Sequence, residues 1–262
     1  MTIFLKLGGS LITDKDRVET AREEVLRRLS AEVAAAMRES QHPSLLLGHG
    51  SGSYGHQVAA RFGTHAGAKT MEEWRGFASV WSAASRLTRL VIDSLVAAGL
   101  PAVAFPPSAS AVCQDGELIA LASEPVERAL VADLLPVVRG DVAFDRERGS
   151  SIISTEKVMT FLAPILRPSL VLLAGVEPGV FADFPQNRQL LPEITPEMLA
   201  NVPLGGARST DVTGGMADKV NQAFALAKAV PGVQVRIFSG MESGAVREAL
   251  AGAPVGTLIR LT

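Results

Sequence analysis

The chain has 262 residues, of which 47% are hydrophobic and 20% charged, and its formal net charge is −2. This is the composition of an ordinary globular protein long enough to close its own core, and the near-neutral balance excludes a basic field for nucleic acid. The single cysteine, Cys113, excludes an internal disulfide, and no apolar stretch approaches the roughly 18 residues that a membrane-spanning helix needs. The opening apolar run is broken by Lys6 and is too short for a signal-peptide core, so a cytoplasmic protein with no membrane partner is expected.

Short apolar runs of strand character alternate with longer segments of helical periodicity. Residues 3–7 read as a strand. Thr20 and Glu23 form a capping-box pattern, and Val25, Leu26, Leu29, Val33 and Met37 follow at helical spacing, which predicts a helix over about 20–39. Leu45-Leu46-Leu47 is a short buried strand ending in a glycine-rich loop. A second capping-box pair, Thr70 and Glu73, opens a long helix marked by Trp74, Phe77, Trp81, Leu87, Val91 and Leu95 and stopping near Gly99. Strands at 103–105 and 135–138 flank a helix at 123–133, with Pro125 near its first turn. The rest reads as helix 154–166, strand 170–173, helix 216–229, strand 235–238, helix 244–250 and strand 257–261. Residues 178–206 are the least regular and are expected as a flap over a site. The alternation predicts one α/β domain over 1–262, a three-layer αβα sandwich around an open, mostly parallel sheet. A looser division falls near residue 165.

In such a sheet, ligands sit beyond the carboxyl ends of the strands. The first strand ends in Lys6-Leu7-Gly8-Gly9-Ser10, with Lys15 nearby. Adjacent glycines let the backbone approach an anion and aim N–H groups at it; taken alone, the same triplet is more often a tight turn between solvated lysines. The second strand ends in Gly48-His49-Gly50-Ser51-Gly52-Ser53-Tyr54-Gly55-His56, a composition suited to an anion cradle at a helix N-terminus. Gly50, Gly52 and Gly55 match G-x-G-x-x-G, but the acidic residues at the right distance, Glu72 and Glu73, start a helix rather than end a strand. The reading is an anion site without a dinucleotide. A lone histidine is more often structural than catalytic, but the place of His56 at the end of this loop favours a hydrogen bond to a phosphate oxygen. In Gly140-Asp141-Val142, Asp141 either orients lysines or a substrate group, or is a plain turn residue. Thr210-Asp211-Val212-Thr213-Gly214-Gly215 leads into a helix carrying Lys219, a cation that opposes the macrodipole unless it answers a bound anion. No P-loop, zinc-ligand cluster or G-x-S-x-G elbow is present. Three glycine-rich loops with three lysines point to phosphoryl transfer.

These motifs, in this order and over nearly the whole chain, resemble the amino-acid kinase superfamily, and within it the isopentenyl phosphate kinase family. Lys-x-Gly-Gly-Ser marks only the superfamily. His56 is the more discriminating residue, shared with the related fosfomycin kinases, where it contacts the acceptor phosphate or phosphonate. The resemblance implies an open αβα sandwich, a homodimer, and transfer from ATP, carrying Mg²⁺, to isopentenyl phosphate, with an acceptor-binding half over about 1–165 and a nucleotide-binding half over about 166–262. It implies that Lys6, Gly8, Gly9 and Ser10 hold the transferred phosphate and that Ser51, Gly52 and Gly55 cradle phosphates. It further implies that His56 and Gly140 bind the acceptor, that Lys15 and Lys219 balance the triphosphate, and that Asp141 belongs to the catalytic set. Gly175, Gly179 and Gly215 are expected on the nucleotide side, with no metal ligand in the chain itself. Two stretches depart from the family pattern. Gly175-Val176-Glu177-Pro178-Gly179 replaces an Asp-Val-Asp-Gly-like turn, and Ser154-Thr155-Glu156-Lys157 replaces a Ser-Gly-Asp-Asp-like one. For an isoprenoid tail, Trp74, Phe77, Val80, Trp81 and Ile92 are the candidate lining, each being core on the plainer reading. The rival readings are a kinase for another phosphonate or phosphate such as fosfomycin, a non-catalytic nucleotide-binding regulator, and an oxidoreductase resting on the glycine fingerprint.

Overall fold

The structure, a computed structural model, describes residues 2–39, 44–202 and 215–261. The chain begins with β1 (Thr2–Leu7), α1 (Gly9–Ile12), α2 (Glu23–Glu39), β2 (Ser44–His49), α3 (Gly52–Phe62) and α4 (Met71–Ala97). It continues through β3 (Ala102–Ala104), β4 (Val112–Gln114), β5 (Glu117–Ala120), α5 (Glu124–Val131), β6 (Leu135–Arg139), β7 (Asp141–Asp145) and β8 (Gly149–Ile153). After α6 (Thr155–Leu166) and β9 (Leu170–Gly175) come β10 (Glu193–Ile194), α7 (Pro196–Leu199), α8 (Gly215–Ala229), β11 (Gln234–Ser239), α9 (Ala245–Leu250) and β12 (Thr257–Ile259).

Eight strands form one sheet in the order β10-β12-β11-β9-β1-β2-β6-β3, parallel except for the β11–β12 pair. Strand periodicity sorts the side chains into two cores. Ile3, Leu5, Leu7, Leu45 and Leu47 face α2, α4 and α9, while Phe4, Leu46, Val171 and Val235 face α5, α6 and α8. Burial on both faces explains why these strands read as unbroken apolar runs.

The structure departs from the expectations in three places. The helix expected from residue 20 starts at Glu23, because Thr20 and Ala21 are drawn into a hairpin: Ala21 bridges to Thr13, and the Thr20 carbonyl accepts from Asp14 N. The second capping box, Thr70 with Glu73, does form, and Gly99 ends α4 at φ 86°. A further sheet, β5-β4-β7-β8, was not anticipated. Its strands are only three to five residues long, yet Asp115-Gly116, both at positive φ, is a strong hairpin signal between β4 and β5. Thirdly, most of the glycine-rich loop after β2 is helix: Gly52, Ser53, Tyr54, Gly55 and His56 are the opening turns of α3. Within 178–206, the described residues hold one isolated bridge, Phe181 to Leu190, then β10 and α7.

Candidate active site

In the sheet, the chain passes from β1 to β2 on one side and from the neighbouring β9 toward β11 on the other, so these connections leave in opposite directions and open a crevice at the carboxyl ends. A cavity of about 240 Å³ fills that crevice. Lys6, Gly8, Gly9, Ser10 and Lys15 line it from the β1 side, and Ser51, Gly52, Gly55 and His56 from the start of α3. Gly140 and Asp141 form part of its floor, and Asp218, Lys219 and Gln222 reach it from α8. A second cleft, lined by Gly175, Glu177, Met216 and Ile237, adjoins the first, and Lys6, Gly8, Glu156 and Lys219 belong to both. The Nζ of Lys219 stands 3.7 Å from where a Cβ on Gly175 would lie. The start of α8 and the N-termini of α3 and α6 all line the first cavity, adding partial positive charge to that of the lysines.

The glycines act first on one another. A Cβ on Gly9 would lie 2.5 Å from the Gly52 nitrogen, so the loops after β1 and β2 meet backbone to backbone. Gly52 itself sits at φ 50° against Thr13, whose hydroxyl accepts from Ser53 N at 3.0 Å and donates to the Gly9 carbonyl at 2.8 Å. This interlock fixes Ser10 and Ser51 on the rim of one cavity.

Lys6 forms a nearly buried ion pair with Glu156, in the first turn of α6. Sequence reasoning did not find this partner, since 150 positions separate the two and Glu156 registered only as a departure from the family pattern. Asp141, expected to orient lysines or substrate, does otherwise. Its carboxylate accepts from Arg139 Nη2 at 3.0 Å, Ser108 N at 3.3 Å and Val142 N at 3.0 Å. Thr155, the neighbour of Glu156 in the same departing stretch, is also structural. It donates to the His49 carbonyl at 2.7 Å and accepts the Gly140 N–H at 2.8 Å, so that N–H is already engaged and Gly140 contributes space to the floor. Gly179 lies apart from both clefts, where a Cβ would meet Thr257 Oγ1 at 2.5 Å. Gly215 opens α8 at φ 70° without lining either cleft. Thr210, Asp211, Val212, Thr213 and Gly214 lie outside the described residues.

Of the tail-lining candidates, only Val80 reaches the cavity, where Ala59, Ala84, Ile152 and Ile153 join it. Trp74 and Phe77 instead pack on Phe144 with ring centroids 5.9 and 5.1 Å away. Trp81 is exposed and Ile92 packs against the first core.

Beneath the floor, His49 is fully buried, with Nε2 3.0 Å from Thr88 Oγ1 and Nδ1 3.1 Å from the Gly50 carbonyl. Burial lowers its pKa to about 4; the Gly50 contact works against that shift and the Arg139 charge adds to it. The folded-state value lies below the unfolded one near 6.5, so the unfolded chain takes up the proton first. Stability should therefore fall as pH drops from about 6.5 to about 4, by on the order of 3 kcal/mol. Urea titrations across that window should show a shallower slope for His49→Gln; an unchanged slope would remove His49 as the cause.

A family model described as "Amino acid kinase family" matches residues 1–239. The isopentenyl phosphate kinase of Haloferax volcanii is 36% identical to this chain over 98% of each sequence, and that of Methanothermobacter thermautotrophicus 33% identical over 98% of each. A crystal structure titled "X-ray structures of isopentenyl phosphate kinase" superposes with a TM-score of 0.83 at 30% identity, covering 99% of this chain and all of that one.

Proposed function

The chain belongs to the amino acid kinase family, and from that premise we propose that it transfers the γ-phosphoryl group of ATP to isopentenyl phosphate. The observation that carries this reading is one cavity with two characters. At one end Lys6 and Lys219 stand where it meets the adjoining cleft; along it lie His56 and an apolar wall of Ala59, Val80, Ala84 and Ile152. A phosphate monoester with a short hydrocarbon tail matches that division.

A phosphate monoester has a second pKa near 6, so near neutral pH its attacking oxygen is already anionic and no strong base is needed. That oxygen forms a bond to the γ-phosphorus while the bond to the β–γ bridging oxygen breaks, and ADP leaves with the electron pair. The barrier is dominated by bringing two polyanions into line and by the charge on the transferred group. Lys6 sits at the meeting point for that charge and Lys219 answers the triphosphate beside Gly175; Lys15, expected beside the triphosphate, lines the acceptor cavity and not the adjoining cleft, and with His56 it holds the acceptor. The backbone at the start of α3 supplies further donors. Mg²⁺ enters as part of the nucleotide and shares the phosphate charge. Cys113, buried and unpaired, suits the reducing cytoplasm in which ATP is supplied.

A coupled ADP-release assay with MgATP tests the reading against isopentenyl phosphate, dimethylallyl phosphate, fosfomycin, acetylglutamate and no acceptor. Turnover should be greatest with isopentenyl phosphate. Greatest turnover with fosfomycin would reassign the acceptor, and silence with all of them, despite ATP binding, would overturn the catalytic reading.

A further inference from the structure

Under the acceptor cavity, Asp141 is paired with Arg139, a residue to which no role has been assigned. Arg139 and Asp141 stand at the end of β6 and the start of β7, with side chains only 4% and 0% exposed. The guanidinium donates from Nη2 to Asp141 Oδ2 and to Ser85 Oγ, each at 3.0 Å, and from Nη1 to Thr88 Oγ1 at 2.8 Å. Its Nε–H has no hydrogen-bond partner among the described residues. A buried arginine left incompletely satisfied is costly and adds little net stability for its own sake.

Its cost has a reason in the floor it supports. Asp141 lines the same cavity as Lys6, Lys15 and His56. A carboxylate buried behind that floor is a fixed negative charge beside a cavity that must admit a phosphate dianion next to a triphosphate, and burial weakens the screening of that repulsion. We propose that Arg139 is a positioning residue for the acceptor: from behind the floor it neutralises Asp141 and holds its carboxylate by hydrogen bonds, so that the cavity keeps a positive field for the incoming dianion. The inference rests on the acceptor being a phosphate, as the proposed function has it.

The proposal predicts an asymmetry that a purely architectural pair would not show. Arg139→Met leaves the negative charge uncompensated and should raise the KM for isopentenyl phosphate tenfold or more, with a much smaller change in the KM for ATP. Removing the charge as well, in Arg139→Met/Asp141→Asn, should restore most of the loss. If Arg139→Met does not fold, Arg139→Lys takes its place: it keeps the charge and loses the fork, and should hold the acceptor KM within a few-fold of wild type. A double variant as impaired as Arg139→Met, or a folded Arg139→Lys with its acceptor KM raised tenfold, would overturn the proposal. Thermal stabilisation by inorganic phosphate gives a second readout independent of turnover, expected to be lost in Arg139→Met and regained in the double variant. If wild type is stabilised by phosphate in that pattern yet turns over no isopentenyl phosphate, the substrate assignment fails and the charge compensation stands.

Discussion

His56→Ala is expected to lower kcat/KM for isopentenyl phosphate by about two to three orders of magnitude, the range found when one preorganised donor to a developing anion is removed. The side chain lies in the opening turns of α3 and lines the acceptor cavity, but not the adjoining cleft that holds Gly175. The loss should therefore fall on the acceptor alone, and the KM for ATP should stay within a few-fold of wild type. Steady-state kinetics with each substrate varied in turn separates the two. A comparable loss on both substrates, or on neither, would refute the assigned role. α3 itself is held by its interlock with the β1 loop and by Tyr54 and Ala59 in the cores.

Lys6→Met should reduce kcat by about a thousandfold, comparable with removal of a cation that stabilises the transferred phosphoryl group in other phosphoryl-transfer enzymes. Lys6 belongs to both clefts, so its loss should appear in kcat more than in either KM. The same change strands Glu156, whose side chain is only 8% exposed, and breaking such a pair costs about 3–5 kcal/mol. Catalytic and structural losses can be told apart with Lys6→Met/Glu156→Gln. That double variant should recover most of the stability in urea denaturation and none of the turnover. Recovery of turnover with stability would mean that Lys6 acts through the fold and not on the phosphoryl group.

The placement of Glu156 bears on how residues become partners. Its position in the first turn of α6 suits the helix dipole and needs nothing beyond local sequence. Its pairing with Lys6 depends on β1 and α6 meeting at the carboxyl edge of the sheet, which no local pattern encodes. Arg139 and Asp141 are only two residues apart, but that Arg139 is fixed by Thr88 and Ser85 of α4, 51 and 54 positions away, is likewise written in no local pattern. The helix start at residue 23 was missed because a capping-box pattern at Thr20 competes with a tertiary bridge between Ala21 and Thr13, and the bridge wins.

By itself the sequence determined the alternation of strand and helix, the buried strands of the parallel sheet, the second capping box and the three glycine-rich segments with Lys6, Lys15, His56 and Lys219. These are signals of short range: periodicity, caps and the conformational freedom of glycine act within a few residues. Only the tertiary structure decided that the glycines of two loops interlock, that Glu156 rather than Asp141 pairs with a site lysine, that Arg139 lies behind the floor, and that Val80 lines the cavity while Trp74 and Phe77 turn to Phe144. Those facts depend on which elements the sheet order brings together, and contacts across about 40 to 150 residues are set by packing of the whole core rather than by any segment of it.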